Sequence, residues 1–212
     1  MDDDLRLVSQ PRSPSRYCGC FTLSQESVRP LVFPTPEDVV ALVDATMAKP
    51  RLASAELFRV LYYDAPPFEG RARNPVDGSI LDFSATPQAR FNRQLIDRLE
   101  LKPDFAVRRG MIIHTGWKLG SAALRSLRGR PRAVTAQDFV PDMGQKGVDI
   151  RIGLDIARIA VKRTVDIIVM VTGDSDFVPA MKFARTEGVK VYLEPMGHGI
   201  RPELKAHADF VL

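Results

Sequence analysis

Apolar residues follow two alternating periods from residue 35 onward. Runs rich in β-branched and aromatic residues predict strands at 56–63, 105–113, 166–172, 189–194 and 209–212. Apolar residues spaced three or four apart predict helices at 35–49, 87–99, 149–162 and 178–187, and Pro202 begins a short further one. Such an alternation is typical of a parallel sheet that helices cover on both faces. We therefore predict an α/β fold with three layers, a parallel sheet between two layers of helices.

The strongest apolar run is expected at the centre of this sheet. Residues 167–172 are continuously apolar up to Thr172, as in a strand buried on both faces. We predict 105–113, 189–193 and 56–63 as the strands that flank it. Residues 66–86 are rich in Gly, Pro and Asn and predict a long loop.

Two carboxylates follow the central run, in the sequence Gly173-Asp174-Ser175-Asp176. Open α/β sheets bind ligands beyond the carboxyl ends of their strands, and residues two apart in extended backbone project to the same side. Neighbouring carboxylates repel each other, and oxygen ligands of this kind favour Mg²⁺ or Mn²⁺. The alternative is that one aspartate caps the helix that follows and the other is solvated.

The helix at 149–162 carries two further acids. Asp149 lies in its first turn and Asp155 in its middle. Residues six apart are rotated by about 240° around a helix axis, so these two cannot share a face. At most one of them is expected to reach a site common with Asp174 and Asp176.

Positive charge is concentrated in the middle of a chain whose formal net charge is +4. No acidic residue lies between Asp104 and Asp138. The cations of this region are Arg108, Arg109, Lys118, Arg125, Arg128, Arg130 and Arg132. Such a block suits a polyanion such as RNA, and the six arginines are the predicted contacts; the alternative is a solvated basic loop.

Residues 1–34 differ from the rest in composition. Pro, Ser and Arg dominate residues 9–16, which predicts a poorly ordered segment, although Tyr17–Leu23 and Val28–Phe33 are each compatible with a short strand. The acidic start is unlike a secretory signal, and no apolar run approaches membrane-spanning length. With Cys18 and Cys20 expected as plain thiols, a cytoplasmic protein is predicted.

The motifs between residues 140 and 212 resemble the NYN (LabA-like) family of the PIN-like nuclease superfamily. The resemblance rests on Lys146-Gly147-Val148-Asp149, on 166–179 with its Gly-Asp-Ser-Asp-Phe sequence, and on 188–191; residues 57–110 are compatible with it. It implies that 35–212 form an NYN/PIN-like domain with a Rossmann-like sheet, whose carboxylates bind Mg²⁺ or Mn²⁺ for the cleavage of RNA, most simply single-stranded RNA. The family's catalytic and metal-binding acids correspond to Asp149, Asp174 and Asp176, and Asp155 matches a further recurrent acid.

The chain departs from the family at its first strand. Family members usually begin with a strand that ends in Asp, followed closely by Asn, whereas 17–23 and 28–33 contain no acid. Either that strand has been replaced or this copy has lost a metal ligand.

Two functions from different classes follow from this departure. The chain is predicted to be a metal-dependent ribonuclease impaired by the missing acid; the alternative is a catalytically inactive RNA-binding or regulatory module. Glycosyl transfer through the Asp-x-Asp motif is disfavoured, because only the residues after Phe177 would remain for acceptor binding. Association of the chain into a homo-oligomer is left open.

Overall fold

A computed structural model describes residues 16–18, 34–197 and 199–212. Its α-helices are Pro36–Met47 (α1), Pro87–Glu100 (α2), Ser121–Gly129 (α3), Val148–Lys162 (α4), Val178–Thr186 (α5) and Pro202–His207 (α6). Its strands are Arg16–Cys18 (β1), Glu56–Leu57 (β2), Val60–Asp64 (β3), Arg71–Arg73 (β4), Ile80–Asp82 (β5), Phe105–Arg109 (β6), Met111–Leu119 (β7), Phe139–Lys146 (β8), Ile167–Val171 (β9), Lys190–Glu194 (β10) and Phe210–Val211 (β11). Within the described residues, no helix is long and apolar enough to cross a membrane.

The apolar run predicted as the central strand is β9, and it lies in the middle of a five-stranded parallel sheet. The strand order of this sheet is β11-β10-β9-β1-β2. All five residues of β9 are buried, and β10 pairs with it along its whole length. The prediction of 167–172 as a central strand beside 189–193 is therefore confirmed.

The other predicted neighbours of the central strand are wrong. The strand on the second side of β9 is β1, whose Tyr17 is in register with Ile167, and β2 pairs with the far side of β1. The predicted strand 56–63 is divided at Phe58-Arg59, after which β3 pairs in parallel with β6 as a separate two-stranded sheet. Arg16–Cys18 is thus a strand. The other predictions for this segment, poor order and two possible short strands, fall on residues 1–15 and 19–33, which lie outside the described residues.

The prediction of one strand at 105–113 is also wrong, because the strand is interrupted at Gly110 and its pairing partner changes there. Strand β6 ends at Arg109, and β7 pairs antiparallel with β8 to form a ribbon, residues 111–146, that carries α3. A Cβ at Gly110 would lie 2.5 Å from Val148 Cγ2 and 2.9 Å from the Lys146 carbonyl oxygen. Only glycine fits where the two ends of the ribbon pass this close to each other.

Residues 66–86 form more structure than the predicted loop. Strands β4 and β5 pair in a small antiparallel hairpin, followed by a 3₁₀ turn at Phe83–Ala85. The hairpin contacts the ribbon through Asn74, whose Nδ2 donates to the Ala136 carbonyl at 3.1 Å. His114 of the ribbon packs against Phe68 and Phe83, with ring centroids 5.7 and 5.3 Å apart.

Two hydrophobic cores are built from alternate residues of the same strands. Ile168 and Met170 of β9 belong to a core that includes residues of α4, α5 and α6. Val169 and Val171 belong to a second core that includes residues of α1 and α2. The described residues thus form a mixed α/β fold of small parallel and antiparallel sheets, and the complete three-layer arrangement stays a prediction.

Helix α4 offers a matched test of the first core. Ile156 is fully buried in that core, whereas Ile150 of the same helix is 63% exposed. We expect Ile156→Ala to lower the free energy of unfolding by about 2–5 kcal/mol, because it leaves a cavity. Ile150→Ala should change it by less than about 0.5 kcal/mol. Chemical denaturation measures both, and equal effects of the two substitutions would contradict this packing.

Candidate functional site

Asp174 and Asp176 lie directly after the central strand, on a 3₁₀ turn at Ser175–Phe177. The Asp174 N–H donates to Thr172 Oγ1 at 3.0 Å, and Asp174 Oδ1 accepts from the Asp176 N–H at 3.0 Å. Asp174 is therefore the N-cap of this 3₁₀ turn, whereas the N-cap of α5 is Phe177, so the capping alternative is right about an aspartate cap but not about the helix. Capping uses Oδ1 of Asp174, and both aspartates are exposed at the carboxyl edge of the sheet.

Asp149 is exposed in the first turn of α4. The helix begins directly after the ribbon, and four residues separate its end from β9. A helix that leads into a strand of a parallel sheet by a short connection is expected to start towards the carboxyl end of that strand. We therefore expect Asp149 on the side of Asp174 and Asp176, and its convergence with them stays a prediction.

Asp155 has partners of its own within the fold. Its Oδ2 accepts from the Tyr63 hydroxyl at 3.0 Å and from Arg108 Nε at 2.9 Å, and its side chain is 19% exposed. Tyr63 and Arg108 are register partners on β3 and β6. Asp155, predicted as a metal ligand, therefore forms an ion pair with Arg108, which is predicted to bind RNA.

The six predicted RNA-binding arginines divide into two groups by their partners. Arg109 donates to both carboxylate oxygens of Glu100, at 3.1 and 2.7 Å. Arg132 donates to both oxygens of Asp138, at 2.7 and 2.6 Å, and this holds the pKa of Asp138 well below its usual value. With Arg108, three of the six are thus engaged in ion pairs.

The remaining arginines, Arg125, Arg128 and Arg130, are exposed on α3 and at its C-cap. No carboxylate of the described residues forms an ion pair with any of them. Their charge is consequently available to an external anion.

Asp64 is a carboxylate that sequence reasoning missed. It ends β3 in the sequence Val60-Leu61-Tyr62-Tyr63-Asp64 and is only 2% exposed. Burial raises the pKa of Asp64 to about 6, although hydrogen bonds from the Ala65 N–H and Asn92 Nδ2, at 2.7 and 3.0 Å, oppose the shift. The sequence pattern that could have revealed Asp64 is an acid at the end of an apolar strand, the pattern by which Asp174 was found.

The surroundings of Asp64 are polar and closed. The Tyr62 hydroxyl donates to Asp64 Oδ2 at 3.3 Å, and proximity to this carboxylate adds to burial in raising the pKa of Tyr62. Asn92 Oδ1 is buried and has no hydrogen-bond partner among the described residues. A buried amide oxygen without a partner costs stability, so this cluster is under-satisfied.

A cleft of about 550 Å³ lies at the opposite edge of the sheet, between the end of α5 and the start of β10. Its lining residues are Lys182, Arg185, Thr186, Gly188, Val189, Lys190 and Asp209. This cleft contains none of the acids predicted as site residues, so it is separate from the candidate site.

The carboxylates match a divalent metal in chemistry but not in arrangement. Exposed carboxylate oxygens are the ligands that Mg²⁺ and Mn²⁺ prefer. Within residues 34–197 and 199–212, however, no three His, Cys, Asp or Glu side chains are grouped so that they could hold a metal ion. The described residues alone therefore do not make a complete metal site.

The pKa of Asp64 predicts a measurable pH dependence of stability. With a pKa of about 6 in the folded chain, Asp64 keeps its proton there while the unfolded chain releases it above about pH 4. Asp64 therefore lowers the free energy of unfolding as pH rises through this window, by up to about 3 kcal/mol. Asp64→Asn removes this pH-dependent loss of stability, because asparagine does not titrate. Rotation of the Asn92 amide lets its Oδ1 accept a hydrogen bond from the Nδ2 of the new side chain.

We expect the stability of Asp64→Asn relative to the unsubstituted chain to increase from pH 4 to pH 6.5 and then to level off, measured by urea denaturation. Asp38→Asn is the control, because hydrogen bonds from Thr35 lower the pKa of Asp38, so that its effect on stability lies below about pH 4 and its profile should be nearly flat from pH 4 to pH 6.5. Parallel pH profiles for the two variants would contradict the assignment.

Comparisons with known proteins identify the family. The NYN domain family matches residues 86–211, more than half of the chain. An uncharacterized protein of Methanocaldococcus jannaschii is 32% identical over 80 residues, which cover 38% of this chain and 33% of that protein. The match thus spans about a third of that relative's length. A Vibrio parahaemolyticus protein of unknown function has a solved structure with a TM-score of 0.49 and 15% identity, covering 96% of this chain and 95% of its own. On the family match, this chain belongs to the NYN domain family, part of the PIN-like nuclease superfamily.

Proposed function

We propose that the protein is a ribonuclease that hydrolyses RNA phosphodiester bonds and depends on Mg²⁺ or Mn²⁺, as NYN and PIN-like nucleases generally do. The observation that carries the proposal is the exposed Asp174–Asp176 pair at the end of the buried central strand. The proposed ligands are these two acids and Asp149; Asp155 stays a sequence prediction, because Arg108 and Tyr63 already hold its carboxylate. The complete PIN-like three-layer fold and a cytoplasmic location belong to the same proposal.

The ribbon is the proposed RNA-binding element. Arg125, Arg128 and Arg130 are exposed on α3 and at its C-cap and give the ribbon positive charge, whereas Lys118 is paired with Asp142. Contacts of this kind bind phosphates without reading the base sequence. We therefore propose single-stranded RNA with little sequence preference as the ligand.

Two observations favour a second function, an RNA-binding module without catalytic activity. Strand β1, next to the central strand, consists of Arg16-Tyr17-Cys18 and carries no acid. The described residues also supply no complete group of metal ligands. In this second proposal the fold and the basic ribbon are retained, and RNA is bound but not cut.

Metal binding and cleavage separate the two proposals. If the ribonuclease proposal holds, Mn²⁺ at ten times its Kd should stabilise the protein by about 1.4 kcal/mol, seen as a higher melting temperature. Single-stranded RNA should also be cleaved in the presence of Mn²⁺. Asp174→Asn should abolish both effects, because it removes a proposed ligand.

Asp166→Asn is the matched control, since Asp166 is an exposed acid at the opposite end of the same strand. It should keep both the thermal shift and the cleavage. RNA binding without any thermal shift or cleavage would reject the ribonuclease and support the module. Loss of both effects in Asp166→Asn as well would assign them to some other site.

The salt dependence of RNA binding tests the ribbon. Replacing both Arg125 and Arg128 by Ala should reduce the slope of log K against log salt by about 1.4, or 0.7 for each lost contact with a single strand. The double variant Arg158→Ala with Lys162→Ala removes the same charge from exposed positions near the end of α4. It should leave the slope unchanged. A slope that falls equally in both variants would indicate an effect of net charge and not a contact of the ribbon.

A further inference from the structure

Arg201 lies beside the carboxylates of the candidate site, a position that sequence reasoning did not assign. Its Nη1 donates to Ser175 Oγ at 2.9 Å, and Ser175 is the residue between Asp174 and Asp176. The contact joins the segment after β10 to the turn after β9. A guanidinium group is therefore fixed at the carboxyl edge next to the two aspartates.

The segment that leads to Arg201 is anchored by an ion pair whose carboxylate is buried. Glu194, the last residue of β10, is 4% exposed and pairs with Lys49. Its Oε1 accepts from the Met196 N–H at 2.8 Å, and Met196 has a φ of +51°. Because such a conformation is strained for a residue with a side chain, the surrounding contacts must hold it in place.

The hydrophobic core holds the segment at its other end. Ile200, the residue before Arg201, packs against the core that includes α5 and α6. The backbone on both sides of residue 198 is thus attached to the body of the protein. The position of the Arg201 guanidinium is set by these attachments as well as by Ser175.

The charge of Arg201 is available to a ligand. Arg201 is exposed, and it forms no ion pair with any acid that the structure describes. The bond to Ser175 uses one of the five N–H donors of the guanidinium group. The others can form paired hydrogen bonds to a phosphate, the geometry that distinguishes arginine from lysine.

We propose that Arg201 binds an RNA phosphate next to the Asp174–Asp176 pair, and that Ser175 holds the guanidinium in position for it. The inference rests on the proposed function, since it takes RNA to be the ligand of this edge. It adds a second, separate phosphate contact to those of the ribbon. RNA would then be held at α3 and again at the carboxylates.

The test is equilibrium binding of a labelled single-stranded RNA in the presence of a chelator, so that metal binding and cleavage do not enter. Arg201→Ala should weaken binding at least about tenfold, as expected for the loss of a charge-assisted hydrogen bond. It should also lower the salt slope by about 0.7. Arg201→Lys should restore the salt slope and only part of the affinity, because a point charge remains without the paired donors.

Arg185→Ala is the matched control, because Arg185 pairs with Asp209 in the cleft at the opposite edge of the sheet. It should bind RNA as the unsubstituted chain does. Ser175→Ala should weaken binding less than Arg201→Ala does, since the charge is kept.

Four results would overturn the inference or what it rests on. If the unsubstituted chain neither binds the RNA with the chelator nor cuts it with Mn²⁺, the proposed function fails and the inference with it; if it cuts RNA with Mn²⁺ but binds none with the chelator, the inference alone fails. If RNA binds but Arg201→Ala retains both the affinity and the salt slope, only the role of Arg201 is rejected. If Ser175→Ala loses as much affinity as Arg201→Ala with an unchanged salt slope, their bond shapes the turn and Arg201 does not contact phosphate.

Discussion

The burial of strand β9 on both faces is the constraint on which the other parts depend. Its five residues are apolar and buried, and they contribute alternately to the two hydrophobic cores. Its backbone pairs with β10 on one side and with β1 on the other. A polar side chain has no place within such a strand, so the first polar groups available for chemistry come after its end, from Thr172 to Asp176. The candidate site therefore lies directly after Val171, the last residue of this buried apolar strand.

The parts of the fold that could be predicted from the sequence are those with a strong local period. Helices α1 and α2, predicted from their period, begin at Thr-Pro pairs whose Thr side chains cap them. Strand β1 could not be predicted as the neighbour of β9, because its three residues are too few to show a hydrophobic period. The interruption at Gly110 escaped prediction for a different reason. It depends on the approach of Val148 and Lys146, which are distant in sequence.

The candidate site was predictable in its residue types but not in their partners. The sequence shows that Asp174 and Asp176 follow a buried strand, and the structure adds that Asp174 caps a turn. Charge alone could not reveal that Arg108 and Arg132 have carboxylate partners within the fold, since those partners lie 47 and 6 residues away. Asp64 was overlooked because its strong perturbation comes from burial, a property of packing and not of composition.

The close approach of the two ends of the ribbon has a consequence for how this domain can vary. Met111 and Lys146 are paired, so the chain leaves the body of the protein and returns to it at neighbouring points. Paired residues of antiparallel strands lie only about 5 Å apart, and a short turn could join them. The length of the projection is therefore independent of the sheet: residues can be inserted or removed at its far end without moving β6 or α4. Ribbons of different length are thus compatible with the same sheet.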